Sequence, residues 1–316
     1  MYRIGIDLGG TFIKAGVVDE NYRIVGTAAC PTALPRPADE IIADMARMAK
    51  EAVGNAGSGV TMEEVAGVGV GSPGTCNQET GAVEYSCNLG FNNEPVCDKL
   101  GRLLGKPVHI ENDANAAAYG EALAGAGKGT KDCICVTLGT GVGGGIIIDG
   151  KIYGGMNYAA GELGHTVIVM GGEPCGCGRQ GCWEAYASVT GLIRQTRRAM
   201  EAHPESLMWK EAPTLEEVNG RTSFDAMRAG DPTAKEVVDQ YIRYIGCGLT
   251  DMINIFQPEV LCIGGAISKE GDTLLKPLQA YVERERYSKN SERQTRICRA
   301  QLGNDAGIIG AAYLGA

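Results

Sequence analysis

The chain has 316 residues, a formal net charge of −9 and a hydrophobic fraction of 44%. This length is too great for one small core and predicts two domains. The negative charge argues against nucleic acid as a main partner. No apolar run approaches the roughly 20 residues of a membrane span. The first residues lack the basic flank and apolar core of a signal peptide, so we expect a cytoplasmic protein without a membrane partner.

The N-terminal residues predict a sheet that opens with a glycine-rich turn. Tyr2 to Asp7, Phe12 to Asp19 and Arg23 to Ala29 have strand patterns, and Leu8 to Thr11 forms the first turn. This is neither a Walker loop nor a dinucleotide fingerprint, because no Gly-Lys-Ser/Thr and no helix follow. The turn can offer N–H groups to phosphate, and Asp7 can orient hydrated magnesium. A purely structural turn is the alternative.

A second glycine-rich turn repeats this theme, and both halves of the chain continue with a helix and a strand. The helix of the first half has an apolar stripe, and the helix of the second half is a long helical stretch. In each half the strand that follows ends in a further glycine-rich turn. The pattern predicts two like α/β domains across a cleft, with their turns directed at one nucleotide. The segments are the hairpin Val136 to Gly150, the helices Asp39 to Val53 and Ala234 to Phe256, and the strands Val65 to Val70 and Glu259 to Ile263.

A strand, Val108 to Ile110, runs directly into a helix that begins within Glu111 to Ala118. Asn112 or Asp113 falls at the helix N-terminus, where a polar or acidic side chain is favoured. From the residues alone, an N-cap is the favoured interpretation. His109 lies inside the strand without neighbouring ligands, and we expect it to be structural.

Four soft ligands lie at short spacings between residues 161 and 184. His165, Cys175, Cys177 and Cys182 are a set that suits a tetrahedral zinc ion. Glu162 and Glu184 lie just outside these four ligands in the sequence. A structural zinc does not need carboxylates, so we expect that the metal places these two groups to hold something else. The alternative is a zinc clip that only staples a loop. The other nine of the twelve cysteines are scattered or lie in apolar strands. We expect these cysteines to be small buried hydrophobic residues of a protein in a reducing compartment.

Together these segments resemble the ROK family of repressors and sugar kinases, within the actin-like ATPase superfamily, and most of all its bacterial glucokinases. The resemblance covers nearly the whole chain. Its most specific part is the His/Cys element combined with Asn112-Asp113. The motifs are Asp7-Leu-Gly-Gly-Thr11, Glu111-Asn-Asp-Ala-Asn115-Ala, Leu138-Gly-Thr-Gly-Val-Gly-Gly-Gly145, Gly161-Glu-Leu-Gly-His165, Cys175-x-Cys-Gly-x-x-Gly-Cys182-x-Glu184 and Gly264-Gly-Ala266.

The resemblance implies an α/β chain with a two-domain, actin-like ATPase (ribonuclease H-like) fold and a cleft between the domains. The small first domain would comprise residues 1–112, completed by a C-terminal helix at about 303–316. The large second domain, residues 113–302, would carry the zinc loop and a dimer surface. A homodimer or a dimer of dimers is expected. The segment 201–233 reads as short helices joined by loops, and no chemistry is assigned to it.

The resemblance also implies a division of roles among the site residues. Asp113 would be the general base, and the sugar would be bound by Asn88, Asn112, Asp113, Glu162, His165 and Glu184. ATP and Mg²⁺ would be bound by Asp7, Gly9, Gly10, Thr11, Lys14, Gly139, Thr140, Gly141, Gly264 and Gly265. A structural Zn²⁺ would be held by His165, Cys175, Cys177 and Cys182. Imidazole has two nitrogens, so His165 could bind zinc through one and a sugar hydroxyl through the other.

The implied activity is ATP-dependent phosphorylation of a hexose, with glucose converted to glucose 6-phosphate as the first expectation. A ROK kinase for N-acetylmannosamine, N-acetylglucosamine, fructose or allose is the alternative within the class. A non-catalytic, sugar-responsive regulator is the alternative outside it. ROK repressors carry an N-terminal helix-turn-helix, whereas Asp7 here is the seventh residue, and the presence of Asp113 favours an enzyme. Which hexose is preferred depends on cavity shape.

Overall fold

The computed structural model describes residues 1–57 and 59–316. Within them, the strands are β1 (Tyr2–Leu8), β2 (Phe12–Val18), β3 (Ile24–Pro31), β4 (Val65–Ser72), β5 (Thr75–Asn77), β6 (Ala82–Ser86), β7 (Phe91–Glu94), β8 (Val108–Asn112), β9 (Cys133–Leu138), β10 (Val142–Ile148), β11 (Lys151–Ile152), β12 (Val260–Gly264) and β13 (Arg296–Arg299). The helices are α1 (Ala38–Gly54), α2 (Val96–Leu104), α3 (Asp113–Ala124), α4 (Trp183–Ala187), α5 (Val189–Ala202), α6 (Met208–Glu211), α7 (Thr222–Arg228), α8 (Pro232–Phe256), α9 (Asp272–Glu285) and α10 (Ala306–Ala312).

The chain divides into two compact units. The first contains Met1–Cys135, Gly145–Gly161 and Ala300–Ala316, and the second contains Val136–Gly144 and Glu162–Arg299. The C-terminal helix belongs to the first unit. The expected boundary after residue 112, however, lies inside this unit, because α3 packs tightly along α10. A Cβ atom on Gly310 would lie only 1.7 Å from the carbonyl oxygen of Ala116, so the two helices meet backbone to backbone.

The first unit is built on a five-stranded sheet with the order β3-β2-β1-β4-β8. Strands β1, β2 and β3 are antiparallel neighbours, whereas β1, β4 and β8 run parallel. The apolar stripe of α1, including Ile41 and Met45, packs into the same core as Ile4 and Ile6. Helix α10 also contacts the sheet closely, since a Cβ atom on Gly5 would lie 1.8 Å from the Ile308 carbonyl oxygen.

The second five-stranded sheet has the order β11-β10-β9-β12-β13, and a small antiparallel sheet has the order β5-β6-β7. The hairpin predicted at Val136 to Gly150 is present as β9 and β10. The helices predicted at Asp39 and Ala234 are α1 and α8, and the strands that follow them are β4 and β12. The three short strands β5 to β7 were not predicted, because each is only three to five residues long.

The segment 201–233 forms α6, a short 3-10 turn and α7, as expected, while the terminal helix begins at Ala306 and not at residue 303. All twelve cysteines are free. Cys133 and Cys135 are buried, as predicted, but Cys87 is exposed, which corrects the expectation that every unclustered cysteine is buried. His109 is also exposed, and its ring packs on Gly315. No helix within the described residues is both long and apolar enough to cross a membrane.

Candidate active site

Asp7 and Lys14 form an ion pair at the glycine-rich end of the first sheet. The two residues are partners in the antiparallel β1–β2 register, and Lys14 Nζ lies 3.6 Å from Asp7 Oδ2. Burial raises the pKa of Asp7, and the attraction of Lys14 offsets part of this shift. A partly buried carboxylate at a strand end is a suitable holder for a hydrated divalent cation.

The turn between β1 and β2 is fixed by Thr32, a residue that the sequence did not single out. The Thr32 hydroxyl donates to the carbonyl oxygen of Gly9 at 2.6 Å, and its N–H donates to the Thr11 carbonyl at 2.9 Å. Gly10 and Thr11 are exposed, and a Cβ atom on Gly10 would meet nothing within 4 Å. An exposed glycine in this turn lets a phosphate approach the backbone.

Asn112 and Asp113 stand at the junction of β8 and α3. The Asn112 side chain is the N-cap that the residues alone favour, because its Oδ1 accepts hydrogen bonds from the N–H groups of Ala114 (2.9 Å) and Asn115 (3.3 Å). Its Nδ2 donates to the Gly74 carbonyl at 3.2 Å. Asp113 is the first residue of α3 and is half-buried. The N-terminal end of a helix favours a carboxylate there.

Glu111, which precedes this pair, was not assigned a role from the sequence. Its side chain is buried and accepts hydrogen bonds from Asn112 N–H at 2.8 Å, from Asn115 Nδ2 at 3.1 Å and from Gln78 Nε2. Burial raises the pKa of Glu111, and these hydrogen bonds lower it to a smaller extent. Asn88, the other expected sugar ligand of this unit, is exposed in the turn between β6 and β7.

His165 and three cysteines of the second unit converge as the sequence predicted. Their four ligand atoms all lie within 4.8 Å of one another. His165 Nδ1 is 3.6 Å from Cys175 Sγ, and Cys177 Sγ is 3.6 Å from Cys182 Sγ. Burial raises the pKa of Cys182 to about 12, so this thiol would stay protonated unless a cation faced it. The group is therefore suited to hold a metal ion.

Glu162 and Glu184 flank this cluster. Glu162 Oε2 lies 3.9 Å from His165 Nε2, the ring nitrogen that does not face Cys175. Glu184 Oε1 lies 3.7 Å from Cys175 Sγ, and its Oε2 accepts a hydrogen bond of 2.9 Å from Val142 N–H. The structure thus brings together the three residues of the second unit that were expected to bind sugar.

Trp183 anchors this loop in the core of the second unit. Its side chain is fully buried, and its Nε1 donates to the Tyr244 carbonyl at 2.8 Å. A Cβ atom on Gly248 would lie 2.2 Å from the indole ring. Helix α8 can therefore pack this close to Trp183 only because residue 248 is a glycine. Since Trp183 separates Cys182 from Glu184, this packing fixes both the ligand and the carboxylate.

The second glycine-rich turn lies against the start of α5. The Gly139 carbonyl accepts from Val189 N–H at 2.8 Å, and the Thr140 carbonyl accepts from the Thr190 hydroxyl at 2.8 Å. The third turn lies beside it, because a Cβ atom on Gly265 would be 2.3 Å from the Leu138 carbonyl oxygen. Gly265 has φ +84°, a backbone conformation that favours glycine.

A cavity of about 630 Å³ opens next to this third turn. It is lined by apolar Val189 and Ile267, by basic Arg221, Arg228 and Lys269, and by Gly220, Ala266 and Glu270. No chemistry was assigned from the sequence to the segment 201–233, yet it supplies Gly220, Arg221 and Arg228 to this wall. No motif marked these residues, because their relevance depends on packing beside a turn that lies far away in the chain.

The sequence model of the ROK family matches residues 3–316. The chain is 39% identical to the glucokinase of Streptomyces coelicolor over 315 residues, which are 98% of this chain and 96% of that protein. A crystal structure of the ROK family glucokinase from Streptomyces griseus, in complex with glucose and AMPPNP, is similar with a TM-score of 0.79 and 39% identity over 99% of both chains. The ROK hexokinase from Thermus thermophilus is similar with a TM-score of 0.82 and 34% identity, over 99% of this chain and 97% of that one. The expectation of an actin-like sugar kinase fold is therefore confirmed.

Proposed function

Because the chain belongs to the ROK family, we propose that it transfers the γ-phosphoryl group of ATP to a hexose, with glucose as the preferred acceptor. The observation that carries this proposal is Asp113 on the first turn of α3, directly after its capping residue Asn112. The full-length similarity to a glucokinase that was solved with glucose and AMPPNP supports the choice of both substrates.

In the proposed mechanism, Asp113 accepts the proton of the attacking sugar hydroxyl while that oxygen attacks the γ-phosphorus in line. The N-terminal end of α3 holds the carboxylate in place, and its neighbour Ala114 donates a backbone hydrogen bond of 2.9 Å to Asp113 Oδ1. Glu162 and Glu184 accept hydrogen bonds from sugar hydroxyls, while Asn112, Asn88 and His165 complete the set. Carboxylates and amides are suited to neutral polyols because each binds through two atoms.

The nucleotide would lie against the turns at Gly139–Gly141 and Gly264–Gly265. The adjacent cavity fits its base and ribose, because Val189 and Ile267 offer apolar surface and Arg221 and Lys269 offer positive charge. Asp7, with Gly9, Gly10, Thr11 and Lys14, would hold the phosphates and Mg²⁺. A magnesium ion, when bound, neutralises the charge that develops on the phosphates. A partly buried carboxylate paired with a lysine is compatible with that role.

For the Cys/His cluster we propose a single zinc ion. Tetrahedral zinc with Zn–S bonds of about 2.3 Å would place its ligand atoms about 3.8 Å apart, and two of the pairs here are 3.6 Å apart. If Nδ1 of His165 binds the metal, Nε2 carries the proton. That N–H can then donate to a sugar hydroxyl on the side of Glu162.

We also propose a cytoplasmic homodimer, or a dimer of dimers, that acts in glycolytic glucose metabolism. Twelve free cysteines are consistent with a reducing compartment. Exposed Met170, Ile255 and Tyr287 offer apolar surface on the second unit for self-association. Light scattering that gives the mass of one 33.2 kDa chain at micromolar concentration would contradict the dimer.

The function is tested by a coupled assay of ADP release. Glucose, N-acetylmannosamine, N-acetylglucosamine, fructose and allose are compared with Mg²⁺ and ATP in excess. We expect the highest kcat/KM with glucose, together with glucose 6-phosphate as the product. A higher value with another sugar would make the chain a different ROK kinase. Sugar binding without ADP release from any of the five would instead favour a non-catalytic regulator.

A further inference from the structure

We propose that Glu111 is a positioning residue for sugar phosphorylation, and that its buried carboxylate fixes both Asn112-Asp113 and the β5–β6 hairpin. This inference rests on the proposed function. Glu111 is the last buried residue of β8 before the junction, with an exposure of 1%. Its two oxygens serve two different parts of the first unit.

Oε1 of Glu111 ties the end of the strand to the start of the helix. It accepts from the backbone N–H of Asn112 at 2.8 Å and from Nδ2 of Asn115 at 3.1 Å. Asn115 lies in the first turn of α3, two residues after Asp113, and is itself buried. One oxygen thus sets the angle at which the chain turns from β8 into α3. The direction of the Asp113 carboxylate depends on this angle.

Oε2 of Glu111 holds the hairpin through Gln78. Gln78 follows β5 directly, and its Nε2 donates to this oxygen. At the other end of β5, Asn112 Nδ2 donates to the Gly74 carbonyl at 3.2 Å. Neighbouring residues 111 and 112 therefore attach the hairpin at two points. Strand β6 of this hairpin leads into the turn that carries Asn88.

Hydrogen bonding rather than packing must maintain the Glu111–Gln78 contact. Gln78 is exposed, and both side chains border a cavity of about 370 Å³. The cavity leaves room for Gln78 to move away once the bond is lost. A buried carboxylate is costly unless its oxygens are hydrogen-bonded, so the three donors also explain how Glu111 is tolerated in the core.

The first unit contains a matched control in Glu121. It too is 1% exposed, and its carboxylate accepts from three backbone N–H groups, those of Ala126 (2.8 Å), Gln301 (3.0 Å) and Leu302 (2.7 Å). These contacts fix the C-terminal segment and touch no proposed sugar ligand. If buried carboxylates in this unit serve stability alone, replacing either one should affect the enzyme in the same way.

The test compares Glu111→Ala, Glu111→Gln, Gln78→Ala and Glu121→Ala with the wild type. Each is measured for kcat and KM with glucose, for KM with ATP, for glucose affinity by calorimetric titration and for thermal midpoint. We expect Glu111→Ala to lose about 100-fold in kcat/KM for glucose while its KM for ATP is unchanged, because a small displacement of a catalytic group has this order of effect.

The conservative variant should restore activity. Glutamine at 111 keeps an acceptor for Asn112 and Asn115, and Gln78 can reverse its amide to accept from the new NH₂ group. Glu111→Gln should therefore remain within about tenfold of the wild type in kcat/KM. Gln78 is exposed, so its replacement by alanine is not expected to disturb the core. Gln78→Ala should raise KM for glucose and leave kcat nearly unchanged, because it removes only the hydrogen bond that attaches the hairpin to Glu111.

Glu121→Ala should lower the thermal midpoint while the folded protein keeps its kinetic constants. The proposal is overturned if Glu111→Ala and Glu121→Ala lose kcat/KM equally, or if Glu111→Gln is as impaired as Glu111→Ala. If Glu111→Ala does not fold, the proposal is tested by the KM of Gln78→Ala for glucose. An unchanged KM for glucose in Gln78→Ala refutes the proposal. If the wild type phosphorylates no sugar, the proposed function fails first, and glucose affinity across the variants still tests the positioning role.

Discussion

Glu184 Oε2 accepts a hydrogen bond of 2.9 Å from the backbone N–H of Val142. This bond connects the Cys/His loop with the glycine-rich turn that precedes β10. It depends on the absence of a side chain at Gly141, since a Cβ atom there would lie 2.4 Å from the same carboxylate oxygen.

Gly141→Ala should weaken glucose binding by about tenfold and leave the thermal midpoint nearly unchanged, because the new methyl group displaces only the end of a flexible side chain. Calorimetric titration with glucose and a thermal melt are the two measurements. Gly176→Ala is the matched control, because a Cβ atom at Gly176 would meet nothing within 4 Å. Wild-type glucose affinity in Gly141→Ala would show that Glu184 does not bind the sugar.

Metal analysis of the purified protein should find one zinc ion per chain. Cys177→Ala should lose the zinc, and with it glucose affinity by orders of magnitude, because re-ordering the freed loop costs about 1 kcal/mol or more per residue. Cys30→Ala, at a half-buried cysteine in β3, should keep both zinc and affinity. Wild-type glucose affinity in a zinc-free Cys177→Ala protein would show that the metal only stabilises its loop and does not support glucose binding.

Asp7→Ala should impair the use of magnesium-ATP, raising its KM by about tenfold or more, while glucose affinity changes little. The reason is that the change removes the carboxylate proposed to hold the metal and leaves Lys14 without its ion-pair partner. Steady-state kinetics with varied ATP, together with glucose titration, separate the two effects. A collapse of glucose affinity with normal ATP kinetics would reverse the assigned roles.

The pKa of Glu111 predicts a particular dependence of stability on pH. Burial raises this pKa above its ordinary value of 4.5. As pH rises above about 4.5, the unfolded chain loses this proton first, so the folded state binds more protons. The free energy of unfolding of the wild type should therefore fall relative to that of Glu111→Gln, until the folded pKa is passed. Urea unfolding at a series of pH values measures the difference, and a relative rise over that window would contradict the assignment.

Local patterns in the sequence predicted most of what the fold needs. The strand patterns of β1 and β2, the apolar stripe of α1 and the spacing of His165 with Cys175 are each contained in a short segment. The features that the sequence alone could not indicate are contacts between residues that lie far apart in the chain. Glu111 meets Gln78 from 33 residues away. The boundary of the first unit depends on Gly310 meeting Ala116, a close approach that neither segment reveals by itself.

The catalytic role of Asp113 is the centre of this account, and Asp113→Asn tests it most directly. The amide keeps the shape of the side chain but cannot accept the proton, so ADP release with saturating glucose and ATP should be abolished, while glucose affinity stays within about tenfold of the wild type. Turnover above about a tenth of the wild-type rate would contradict the assignment of Asp113 as the general base.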